Sequence, residues 1–164
     1  MSAIVACFGN VLRGDDGFGN AVAERLLTVA LPAGVSVLEV GIGGIHLVQE
    51  LMRGTAVLIV VDAVDLGRAP GTVVVQRPEV LDVATLPPAR RRDELADVHL
   101  ATPEKALMVA RALGVLPDTT FVVGVQTTDT DRVGRSLSPA TERAVEVAVA
   151  EVGRLLAEHV PERS

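Results

Sequence analysis

The chain has 164 residues, 49% of them hydrophobic, with three Phe, no Tyr or Trp, and a formal charge of -6 at pH 7. So few rings give single-stranded nucleic acid no stacking platform, and the negative balance gives a duplex no basic face. No apolar stretch approaches the ~20 residues of a membrane span, and no basic segment leads into an apolar core at the start. The expectation is one cytoplasmic domain over residues 1–164, with neither a nucleic-acid nor a membrane partner.

The first predicted element is the apolar run Ala3-Ile4-Val5-Ala6-Cys7-Phe8, read as a strand. Cys7 is the chain's one cysteine, so no internal disulfide forms, and inside a strand it reads as a small buried apolar residue. Gly9-Asn10-Val11-Leu12-Arg13-Gly14-Asp15-Asp16-Gly17-Phe18-Gly19 follows, a glycine-rich loop running into a helix from about 17 to 31. Gly9 and Gly14 have the spacing of a phosphate-binding loop, but Asp15-Asp16 stands where that loop needs Lys-Ser/Thr, so the segment seeks a cation. The alternative is that Asp15 or Asp16 simply caps the helix, since aspartate suits the positive helix end.

A second β-rich run covers 35–40, followed by Gly41-Ile42-Gly43-Gly44 and a short helical pattern from about 45 to 52. The run 56–61 is continuously apolar, which predicts a central strand covered on both faces, and it ends in Asp62. Residues 71–76 form a fourth run, reached by a link too short for a helical crossover, so it is an antiparallel or edge strand. From 77 to 98, Pro78, Pro87-Pro88 and the triplet Arg90-Arg91-Arg92 interrupt every period, which reads as a long loop with a solvated basic patch.

Thr102-Pro103-Glu104 gives a helix start, with Thr as cap and Pro in the first turn. A fifth strand spans 120–125, and Ser138-Pro139 opens a long terminal helix in which Val145, Val149, Val152 and Leu156 share a face. The order predicts an α/β three-layer sandwich: a five-stranded, mostly parallel twisted sheet with one antiparallel strand and helices on both faces.

In such sheets ligands sit at the carboxyl ends of strands flanking a topological switch point, where Asp16 and Asp62 can meet. His99, just ahead of the capped helix, is free to reach the same edge. Two carboxylates and an imidazole make a mixed O/N set for a transition metal with open coordination positions. The plainer reading is that Asp62 bonds loop amides and His99 is a surface residue before a cap. His46 at a helix start and His159 at the negative end of the last helix are weaker candidates. No nucleophile-elbow, zinc-protease or dinucleotide fingerprint is present.

The segment from Gly9 to Gly19 resembles the signature of hydrogenase maturation endopeptidases. Gly41-Ile42-Gly43-Gly44 resembles that family's second loop and Val60-Val61-Asp62-Ala63 its strand-end aspartate. His99 before Pro103-Glu104-Lys105-Ala106-Leu107, and Gly124-Val125-Gln126 with Leu137-Ser138-Pro139, extend the resemblance over nearly the whole chain. Thr127 departs from it, standing where many relatives have proline.

The resemblance implies that Asp16, Asp62 and His99 are the metal-contacting and catalytic positions, and that Asp15 and its glycines shape the loop. It implies an endopeptidase that removes the C-terminal extension of a NiFe hydrogenase large-subunit precursor after nickel insertion. The bound nickel, supplied by the precursor, is what it recognises, and no organic cofactor takes part. Two other readings use the same residues: a non-catalytic metal-checkpoint module, and a divalent-metal phosphoester hydrolase, which would want more oxygen ligands and a cation for the phosphate.

Overall fold

A computed structural model describes residues 2–9, 14–41, 44–96, 102–127 and 137–161. The strands are β1 Ala3–Phe8, β2 Val35–Val40, β3 Val57–Val64, β4 Val73–Gln76 and β5 Thr119–Gln126. The helices are α1 Phe18–Leu26, α2 Ile45–Leu51, α3 Pro88–Leu95, α4 Pro103–Ala112 and α5 Pro139–His159. Single 3-10 turns occupy Gly14–Gly17 and Val83–Thr85.

The sheet order is β2-β1-β3-β5-β4, with every pairing parallel except β4 with β5. This is the expected mostly parallel sheet, with the antiparallel strand at one edge. Side-chain alternation along β1 and β3 divides the core into two layers. Val5, Cys7, Ile59 and Val61 pack with Phe18, Val22, Val145 and Val152 from α1 and α5. Ile4, Ala6, Leu58 and Val60 pack with Leu47, Leu51, Leu107 and Ala110 from α2 and α4. All six residues of β1 and the first five of β3 are buried, which is why those runs carry no polar alternation.

Three expectations need correction. Helix α1 stops at Leu26 instead of continuing to 31, because the chain turns there: the Thr28 hydroxyl and backbone N–H both donate to the Arg25 carbonyl. β3 runs two residues past Asp62, which is paired with Gly124 of β5 inside the ladder.

The segment 77–98 is not one long loop, since it holds a 3-10 turn and α3. Pro88 sits in the first turn of α3, where its missing N–H costs nothing. The helix buries none of its residues and so has no apolar stripe to read. Arg91, from the supposed solvated triplet, holds the segment together by donating to the carbonyls of Val83, Ala84 and Leu86 at 3.1, 3.1 and 3.3 Å.

Candidate active site

The sheet order makes a topological switch between β1 and β3: β2 lies on one side of β1 and β3 on the other. The chain leaves β1 at Phe8 and enters the 3-10 turn Gly14–Gly17, which carries Asp16 and packs against β3. Close approach here depends on glycine. A Cβ on Gly9 would lie 2.5 Å from the Asp16 carbonyl oxygen, and one on Gly19 would lie 1.9 Å from that of Phe8. Helix α1 has Gly17 at its N-cap and no side-chain cap hydrogen bond, so Asp16 does not serve as the cap of α1.

Asp62 lies on the α2/α4 face by the alternation of β3, following Leu58 and Val60. Burial pushes its carboxyl up to about 8; the Ala63 backbone N–H, donating to it, acts in the opposite direction. The negative charges of Asp16 and Glu104 raise it further. Two of the sequence's candidate residues, Asp16 and Asp62, are therefore close enough to repel each other. The third, His99, lies outside the described residues, as does the side chain of Asp15. The chain returns to Asp62 just after that gap, at Pro103 and Glu104.

Glu104 is a neighbour that sequence reasoning registered only as a helix-start residue. Its second-position place in α4 suits the positive helix end, and that ordinary role hid its position beside Asp62. The start of α4 is otherwise as expected, with the Thr102 hydroxyl accepting from the Lys105 backbone N–H at 3.4 Å.

A cleft of about 490 Å³ opens beside Asp62. Val64, Val122, Leu107 and Met108 give it apolar lining, while Asp65, Glu79, Glu94 and Glu104 make its polar lining acidic. Among the described lining residues the one cation is Lys105, paired with Glu94 at 2.8 Å. Among the described residues no three His, Cys, Asp or Glu side chains are arranged to hold a metal ion. His46 is exposed on α2 and His159 packs its ring 5.0 Å from that of Phe121; neither lines the cleft. Cys7 is fully buried and its thiol is pushed up to about 12, mainly by that burial and further by the charge of Glu39, so it supplies no thiolate. No helix among the described residues is long and apolar enough to cross a membrane.

Comparison with known proteins turns this geometry into a family assignment. The family model described as hydrogenase maturation protease matches residues 21–154. The hydrogenase expression/formation protein HupD of Rhodobacter capsulatus is 36% identical over 154 residues, spanning 93% of this chain and 70% of its own. HupM of Azotobacter chroococcum mcd 1 is 34% identical over 94% of this chain and 71% of its own.

Among solved structures, the hydrogenase maturating endopeptidase HybD from E. coli superposes with a TM-score of 0.76 at 26% identity, covering 99% of this chain and 96% of that one. The hydrogenase 2 maturation peptidase from Thaumarchaeota archaeon SCGC_AB-539-E09 gives a TM-score of 0.67 at 30% identity, covering 96% of this chain and 99% of that one. With this match along the chain and in the fold, and with the turn that carries Asp16 packed against β3, the chain belongs to the hydrogenase maturation protease family and is a peptidase.

Proposed function

We propose that the protein removes the C-terminal extension of a NiFe hydrogenase large-subunit precursor after nickel insertion, working in the cytoplasm. Asp16, Asp62 and His99 hold the nickel that the precursor brings, so the metal is part of the substrate. The observation that carries this reading is the crowding of Asp16 and Asp62 at the β1/β3 crevice. Two carboxylates that repel each other accept a cation in place of a proton, which relieves the repulsion. A carboxyl titrating near 8 is also matched to taking up or giving back a proton around neutrality. The alternative of phosphoester hydrolysis finds no support in the cleft, whose lysine is already engaged by Glu94.

This reading predicts that metal binding is coupled to proton release. At pH 6 to 7 the Asp62 carboxyl is largely protonated, so nickel must displace that proton. Apparent affinity for nickel should rise about tenfold per pH unit toward pH 8 and release about one proton per ion. Calorimetry in buffers of different ionisation enthalpy reads both quantities. Asp62→Asn should flatten the pH dependence, and an unchanged slope in that variant would remove Asp62 from the ligand set.

The deciding experiment is incubation with the large-subunit precursor, nickel-loaded and nickel-free, followed by intact mass measurement. The loaded precursor should lose its C-terminal extension and the nickel-free form should stay intact. The protein alone should bind nickel weakly, because three side chains leave the coordination sphere to be completed by the precursor. Equal cleavage of both forms by a rigorously metal-free protease would defeat nickel recognition while leaving the peptidase assignment in place. A loaded precursor bound tightly but never cut would favour a checkpoint module without catalysis.

A further inference from the structure

At the carboxyl end of β5, Gln126 is 4% exposed and uses every hydrogen-bonding position of its carboxamide. Its Oε1 accepts from the backbone N–H groups of Leu66 at 2.7 Å and Arg68 at 3.2 Å. Its Nε2 donates to the Asp65 carboxylate at 3.1 Å and to the Thr127 carbonyl at 2.9 Å. The backbone of the same residue is also tied: its N–H donates to the Thr72 carbonyl at 2.9 Å and its own carbonyl accepts from Gly71 at 2.8 Å. One side chain and its peptide groups therefore hold both ends of the link between β3 and β4.

That link continues the wall of the cleft. Asp62, Val64, Asp65 and Leu66 line it in sequence, so the residues Gln126 fixes begin three positions beyond Asp62. The arrangement is specific to an amide. Its oxygen faces two donors and its nitrogen faces two acceptors, which fixes its orientation. A carboxylate of the same length would set an oxygen against the Asp65 carboxylate and the Thr127 carbonyl.

We propose that Gln126 is a positioning residue that sets substrate affinity by holding the segment 65–68, whose Asp65 and Leu66 form part of the cleft wall beside Asp62. This rests on the reading that the precursor is cleaved beside Asp62. The cleft wall and the reacting groups are separate parts, so disturbing the wall should change how well the precursor is held and leave the chemical step intact.

The test is Gln126→Glu with the nickel-loaded large-subunit precursor. KM should rise about tenfold while kcat stays within about twofold, as expected when a part-buried charge-assisted hydrogen bond is replaced by repulsion. Adding Asp65→Asn to that variant lets an amide at 65 donate to the new carboxylate, and KM should return to within about threefold of the parent. Asp65→Leu, a change on an exposed loop, should raise KM about threefold even if the Gln126 variant does not fold. Backbone amides of Leu66 and Arg68 should exchange faster in Gln126→Glu and slow again in the double variant. Unchanged KM in the single variants, a loss confined to kcat, or no rescue by the pair would overturn the role. If the parent itself leaves the precursor uncut, the proposed function fails, and amide exchange together with precursor binding still decides whether Gln126 holds the wall.

Discussion

Asp62→Asn is expected to abolish processing while leaving a protein that is folded and, at alkaline pH, more stable than its parent. Loss of a ligand or of the proton-exchanging group should cost at least about 100-fold in kcat/KM, more than the usual effect of removing a residue that only supports a ligand. The stability effect has the opposite sign. The folded-state carboxyl sits near 8, above its unfolded value of about 4, so its contribution is complete below pH 4 and is lost as pH rises through 8. Asparagine has no such proton to lose. Denaturant unfolding of the metal-free proteins should therefore show a gap in favour of the variant that widens from about pH 4 to pH 8. A variant that unfolds yet cleaves normally in its soluble fraction would make Asp62 structural and void the assignment.

The largest loss of stability is expected from Gly19→Ala. A methyl group there would lie 1.9 Å from the Phe8 carbonyl oxygen and 2.8 Å from its carbon. Backbone cannot step aside as a flexible side chain can, so α1 would have to move off the end of β1. The cost should be ~3 kcal/mol or more, above the usual range for overpacking, and much of the protein should be insoluble. The same substitution at Gly153, within α5, meets nothing within 4 Å and should stabilise by about 0.5–1 kcal/mol through helix propensity. Paired thermal melts separate the two, and equal Tm values would show that α1 does not need its close seat on β1. Since the turn before α1 carries Asp16, the proposed metal role of that residue implies that any displacement tolerated at Gly19 appears as weakened nickel binding.

The sheet was legible because its signals are local. Apolar continuity marked β1 and β3, a short polar link marked β4 as the antiparallel strand, and Thr102 and Ser138 announced α4 and α5, whose caps accept from Lys105 and Thr141. Helix α3 had no such signal, since it turns no apolar face inward and depends on Arg91 reaching carbonyls five to eight residues back. In the site, the switch between β1 and β3 brought Asp16 near Asp62, though Asp62 lies inside the β3 ladder and not at its end, whereas Glu104 and Gln126 were hidden. Each has an ordinary local reading, a helix-start acid and the first polar residue past a strand, and only tertiary structure shows what it faces. The same holds for Asp62, whose place inside the β3–β5 ladder depends on pairing with Gly124 sixty-two positions later.

Cys7, sealed in the middle of β1, has a practical meaning for watching the enzyme at work. It is the sole cysteine and has no exposed surface, so to alkylating and maleimide reagents the folded protein is a thiol-free object. One cysteine introduced at an exposed site away from the cleft, such as Leu27 just past α1, would be a unique attachment point for a fluorophore or spin label. No other cysteine would first need to be removed. Reagents that block thiols in the precursor can likewise be left in a processing reaction, because whatever inhibition they cause arises on the substrate and not on the protease.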